Sequence, residues 1–358
     1  IALWTIVLCA AGCGGDDEPQ GPQTRTVSQT KQANFTSIQN CISASSDTDT
    51  CVVYPGTYKE RIRFGGKAIT VRSSDGPEKT IIDGRERGTV VTFDKGEEDD
   101  SVLEGFTITN GLAVSGEDTV EHGGGIQLLS AAPTIRDCIL LANHAEGDGG
   151  GIYSFATGSK PAIENVVFQG NTAGGQGGAL CAVYGGPDLT NCLFSENEAP
   201  VGGAISSRYG ANLVLANCTF QGNSASTQAS ALYLLNATSN WRNTICFFNT
   251  APPGSTLVLD LDPEQAGITS LALSHVDLQG GTGAVGRTQT CNAQPGLCNL
   301  QSDSILNTDP LFVPLSLEEP LENPWEAFYL SQPDTLRPDQ AQLGKSPCAD
   351  AGDRSAEE

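Results

Sequence analysis

The chain has 358 residues and sets 42 acidic side chains against 19 basic ones, for a formal net charge of -23. Such a balance repels a phosphate backbone and argues against nucleic acid as a partner. Glycine at 42 residues, with 6% aromatic and 17% charged content, favours repeated tight turns over helices, and no long amphipathic helical pattern occurs.

The chain opens on the apolar run IALWTIVLCAAGC. It is too short to span a bilayer and has the length of a signal-peptide core, although no basic residues precede it. Ala10-Ala11-Gly12-Cys13 resembles a bacterial lipobox, so residues 1–13 are expected to be an export signal with Cys13 lipidated. Simple secretion is the alternative. Residues 14–33 are polar and are expected to form a tether, followed by the main folded body over residues 34–300 and a closing segment over residues 301–358. Acidic side chains bunch at 16–18, 94–104 and 318–326; a solvated surface is the plain reading and loose calcium binding the sharper one. No other cofactor is called for, and no His/Cys cluster has zinc-ligand spacing.

Cys41 and Cys51 bracket a polar stretch, and Cys291 and Cys298 bracket NAQPGL, so each pair is a candidate for a short disulfide loop in an oxidising compartment.

From residue 123 onward the sequence repeats. Gly-Gly-Gly-Ile126, Gly-Gly-Gly-Ile152, Gly-Gly-Ala-Leu180, Gly-Gly-Ala-Ile205 and the degenerate Ala-Ser-Ala-Leu232 recur at steps of 26, 28, 25 and 27 residues. A Cys-x-Phe-x-x-Asn motif keeps time with them through Cys138-Ile-Leu140, Val166-Val-Phe168, Cys192-Leu-Phe194 and Cys218-Thr-Phe220. Cys246-Phe-Phe248 is read as continuing it without the Asn. A unit of this size cannot bury its own apolar face, but stacked units bury a continuous column. The expected fold is therefore all-β, a single-stranded right-handed parallel β-helix. Asp137, Asn165, Asn191 and Asn217 should form a turn ladder in the left-handed conformation, and Cys138, Cys192, Cys218 and Cys246 should be buried free thiols.

These motifs resemble those of chlamydial polymorphic outer-membrane proteins and, more widely, right-handed β-helix proteins of the pectin-lyase-like superfamily. Cys51-Val-Val-Tyr54-Pro-Gly and Leu103-Glu-Gly-Phe106 look like early coils, and Asp309-Pro-Leu-Phe312 like a closing segment. The resemblance covers about residues 34–353. Similar proteins often continue beyond this point, which leaves truncation at Glu358 open. The resemblance implies a pectin-lyase-like solenoid and says little of activity, because the fold carries lyases, hydrolases, epimerases, adhesins and inert spacers.

Relatives of this kind usually keep their active groove on the outer side of the glycine-led strands. With Ile126 to Leu232 pointing inward, the next residues form the outward column Gln127, Tyr153, Cys181, Ser206, Tyr233. It holds no carboxylate, so neither the acid cluster of a calcium-dependent lyase nor the paired Asp of a hydrolase is in view. Tyr153, Ser206, Arg208, Tyr209 and Tyr233 are the candidate glycan contacts, with no catalytic residue and no metal ligand assigned. His122 and His144 read as exposed turn residues. Ile139, Val167 and Leu193 read as an outward apolar strip covered by the chain itself, and Arg136 and Glu164 as a cross-strand ion pair. The leading function is a non-enzymatic envelope protein, tethered to the outer membrane or cell surface through its lipid and contacting polysaccharide or another surface protein. The alternative is a uronate lyase, epimerase or glycoside hydrolase with a divergent site.

Overall fold

The computed structural model describes residues 21–306, apart from 115–121, 156–157, 159, 252–255 and 266. Strand follows strand in a parallel β-helix, each pairing with its equivalent one coil on. The glycine-led strands make a nine-stranded sheet from Ile62–Arg63 to Val285–Arg287, here called the glycine face. A second wall is continuous with a third around a bend, and a five-stranded sheet of short strands links them to the glycine face.

The interior follows from the repeat. Val91, Ile126, Ile152, Leu180, Ile205, Leu232 and Leu257 stand in register and are buried in one continuous core. Across from them, Phe168, Phe194 and Phe220 stack with ring centroids 4.7 and 4.6 Å apart. The strands that begin at Ile126, Ile152, Leu180 and Ile205 are each entered through a left-handed glycine, as at Gly149 with φ +69°, where a Cβ would meet the Ile152 carbonyl oxygen at 2.3 Å. In the degenerate repeat Ala229 takes that role with φ +60°.

Two asparagine ladders fix the bends. Asp137, Asn165, Asn191 and Asn217 all have φ between 53° and 55°, and Asn165 Nδ2 donates to Asp137 Oδ1 at 3.0 Å. The second ladder is internal. Asn143, Asn171, Asn197 and Asn223 are fully buried, and each donates its amide to the Asn one coil on and to a carbonyl oxygen of the coil before.

The last member of that ladder is Asn249, which overturns one reading of the repeat. Phe220 pairs with Cys246, and Asn243 with Asn217, so Thr244 occupies the Cys position and Cys246 the Phe position. The motif keeps its Asn and gives up its Phe instead. Cys246 is too small to cover Phe220, and Trp241 from the neighbouring wall stacks there at 4.8 Å. Cys138, Cys192, Cys218 and Cys246 are all buried free thiols.

The ends also differ from the expected boundaries. Thr24–Val27 already pairs with Thr50–Val53, so the solenoid begins inside the stretch read as the tether 14–33. At the other end Cys298–Leu306 pairs with Thr269–Leu278, which carries the β-helix past residue 300. Cys13, the remainder of the tether and the rest of the closing segment lie outside the described residues. The helix Ile38–Ala44 packs Ile38, Cys41 and Ile42 into the core, and Glu60 receives hydrogen bonds from the Ile38 and Gln39 N–H groups at its N-terminus. The structure joins Cys41 to Cys51 and Cys291 to Cys298, with Cα atoms 6.1 and 5.5 Å apart.

One smaller reading is corrected, and one holds. Arg136 stands in register with Glu164 but its guanidinium turns to Glu104 on the preceding coil, at 2.8 Å. Val167 and Leu193 are buried, and Ile139 is half-buried, so the outward apolar strip is not exposed.

Candidate functional site

Pleating sends the second and fourth residues of each glycine-face strand outward. The second residues, Gln127, Tyr153, Cys181, Ser206 and Tyr233, form a column in register. Their exposure is the surprise. Tyr153 and Tyr233 are 9% and 5% exposed, and Cys181 and Ser206 are fully buried.

A row of residues that precede the glycine-face strands contributes to this. His122, Asp148, Gln176, Val201 and Gln228 each stand four residues before an inward apolar residue, and together they run along one side of the column. His122 stacks its ring on Tyr153 at 4.4 Å and accepts the Asp148 backbone N–H at Nδ1. Ser206 Oγ donates to Gln176 Oε1 at 2.8 Å. Tyr153, Cys181 and Val183 thus form a small apolar cluster outside the main core, and Tyr233 forms another with Ala229 and Val258. His122 and His144 are not free turn residues either, since His144 Nδ1 shares a 2.7 Å hydrogen bond with Thr172 Oγ1.

Arg208 crosses over this cluster. Its Nη2 lies 2.6 Å from Asp148 Oδ2, two coils back, and both side chains are 14% exposed. The same nitrogen stands 3.4 Å from Cys181 Sγ. Burial works against the guanidinium charge, but Cys181 and Asp148 outweigh it and hold Arg208 firmly protonated. Burial pushes the Cys181 thiol and the Tyr153 hydroxyl each up to about 12. Tyr233 is raised further, by burial and then by the hydrogen bond it donates to Asp260 Oδ2 at 2.6 Å.

The face therefore holds two carboxylates that the sequence reading left out, Asp148 and Asp260, and it engages both internally. Cys181, Tyr153 and Tyr233 keep their protons at neutral pH, so none serves as a base there. Among the described residues no group of three or more His, Cys, Asp or Glu side chains is placed to hold a metal ion.

The exposed surface lies one step further along each strand. Phe155 and Tyr184 are 36% and 43% exposed, and with the half-buried Tyr209 they form an aromatic row on three successive coils. Phe155 meets Tyr184 edge-on at 5.3 Å, and Tyr184 and Tyr209 are tilted by 33° at 6.0 Å. Tyr184 and Tyr209 follow their strands in left-handed conformation, and their N–H groups donate to Arg208 and Leu235 carbonyl oxygens of the next coil, which fixes the backbone that carries both rings. Of the candidate contacts, Tyr153, Ser206 and Tyr233 are withdrawn under cover, Arg208 is committed to Asp148, and Tyr209 alone joins the exposed row. Phe155 and Tyr184 were missed, although Tyr184 and Tyr209 share the same offset, four residues past an inward residue.

Solved structures similar to this chain include a pectin methylesterase from carrot, at 10% identity and TM-score 0.45, covering 80% of this chain and 91% of that one. The Escherichia coli protein YbhC gives 12% identity and TM-score 0.42, with 86% and 88% coverage. A pectin methylesterase in complex with a hexasaccharide gives 11% identity and TM-score 0.37, with 74% and 80% coverage. No curated protein sequence matches the chain. The family model described as a right handed beta helix region matches residues 28–244, more than half of the sequence, and the chain belongs to that family.

Proposed function

We propose that this chain is a non-enzymatic β-helix of the bacterial cell envelope, held by a lipid on Cys13, whose outer glycine face contacts carbohydrate. The observation that carries the reading is the exposed row Phe155, Tyr184, Tyr209 on successive coils. Aromatic faces stack on the C–H faces of sugars, and a rigid solenoid holds them ready at little cost in conformational entropy. The disulfides Cys41–Cys51 and Cys291–Cys298 fit an oxidising compartment, and the apolar run ending at Cys13 fits export and anchoring. A lipid and a folded body together make a surface protein whose partners are the membrane and a polysaccharide.

Asp148 and Asp260 on the same face favour one rival, a polysaccharide-active enzyme with an unfamiliar site. Incubating the purified chain with uronate and neutral polymers, with and without calcium, separates the two. New reducing ends or unsaturated uronates would overturn the binding reading; retention on immobilised polysaccharide without any product supports it. Anchoring has its own test: Cys13→Ala should abolish fatty-acid labelling and release the protein from membranes, and unchanged membrane association would count against a lipid.

A further inference from the structure

The aromatic row also says which sugars it suits. Resting on the carbohydrate-contact reading, we infer that the row takes neutral, unbranched glycan chains with flat, apolar sugar faces and rejects polyuronates. Two independent observations lead there.

The first is shape. Tyr184 and Tyr209 are tilted by only 33° and offer neighbouring faces, whereas Phe155 stands at 85° to Tyr184 and closes one end. Two tilted faces and an end wall suit a short stretch of chain whose sugars present equatorial hydroxyls and bare C–H faces. The Tyr184 and Tyr209 hydroxyls can exchange hydrogen bonds with ring substituents.

The second is charge. A polyuronate brings a carboxylate on every sugar, and each needs a cation once water is displaced. The cation that stands over Tyr209 is already taken. Arg208, with its guanidinium 5.9 Å from the centre of the Tyr209 ring, is bound to Asp148 at 2.6 Å. The whole chain carries -23, so a polyanion approaches against the long-range field as well. Stacking on a neutral sugar meets neither cost.

The test is a titration of the full chain with cello-, manno- and xylo-oligosaccharides and, in parallel, with oligogalacturonates and oligoalginates, at low and high salt. The expected result is binding of at least one neutral series, with an affinity that salt leaves unchanged, and no binding of the uronates. Tyr184→Ala should weaken the neutral ligand about tenfold, which is about 1.4 kcal/mol. Tyr184→Phe should keep most of the affinity, and an unchanged melting curve would show that neither variant has unfolded. Uronate binding that Tyr184→Ala abolishes, with neutral sugars inert, would overturn the inference and leave the carbohydrate reading standing. Neutral binding that Tyr184→Ala and Tyr209→Ala leave untouched would remove the row as the site. Absence of binding in every series would overturn both.

Discussion

The two sides of the glycine face obey different rules. On the inner side nearly the same residue returns on every coil, Ile126, Ile152, Leu180, Ile205, Leu232, and each buries itself against its copies. On the outer side the residue changes at every step, through Gln127, Tyr153, Cys181, Ser206 and Tyr233, and alongside them through His122, Asp148, Gln176, Val201 and Gln228. Repetition marks what stacking needs in order to be stable. Variation marks positions that stacking leaves open, and there the chain has assembled an ion pair, two apolar clusters and an aromatic row. The contrast predicts large stability effects and no ligand effect on one side, and the reverse on the other.

The largest departure is expected at alkaline pH. Burial pushes Cys138 and Cys181 up to about 12 and raises Cys192 and Cys246 as well, against an ordinary value of 9.0. A raised folded-state value means that these thiols cost nothing below pH 9. Stability is then lost as the pH climbs from 9 towards 12, because the unfolded chain releases its protons first. Urea midpoints should therefore fall steeply in that window, and Cys192→Val, which copies Val166 of the neighbouring coil, should shift the fall to higher pH. An identical pH profile for the variant would remove the thiols as its cause.

Phe194→Ala empties the middle of the Phe168–Phe194–Phe220 stack and is expected to cost about 3–5 kcal/mol in denaturant unfolding. Asn197→Ala strips partners from the Asn171 N–H and the Phe168 carbonyl, both buried, and should cost about 2–4 kcal/mol. A loss below about 1 kcal/mol for either would mean that the interior ladder is not what holds the coils together. At the left-handed entry residue, Gly149→Ala should destabilise by about 1–2 kcal/mol or more, because the new Cβ would also meet the Ile152 carbonyl oxygen. The smallest effect belongs to the outer row, where Tyr184→Ala should move the unfolding free energy by no more than about 0.5 kcal/mol. A larger loss there would make Tyr184 part of the scaffold.

The coil was legible because its signals are properties of the backbone. A Gly before Ile152, an Asn at a left-handed bend and a step near 26 residues each report a conformation that neighbouring coils must share. The misplaced coil at Cys246 shows the limit. Spacing to Cys218 suggested one alignment, whereas the Asn249 side chain, one ladder over, held another. Exposure was harder still. That Tyr153 points outward followed from alternation, but its burial depends on the His122 ring laid over it from the preceding turn. Asp148 escaped notice because it comes before the glycines, in a segment that reads as connection. The offset that places Ile152 inward, counted four residues back, would have found it together with His122 and Gln176. Arg136 chose Glu104 over Glu164 because coils stack on both sides, and the sequence ranks neither neighbour.

The pair formed by Arg208 and Asp148 alters how the solenoid can come apart. Ladder contacts join each coil to the one beside it, so such a structure can fray one coil at a time. A bond reaching across 60 residues skips the coil of Cys181 and ties the coils on either side of it. Three coils then share one opening event. Amide hydrogens of Ile152, Leu180 and Ile205 should exchange with a common free energy, and the aromatic row is mounted on that block.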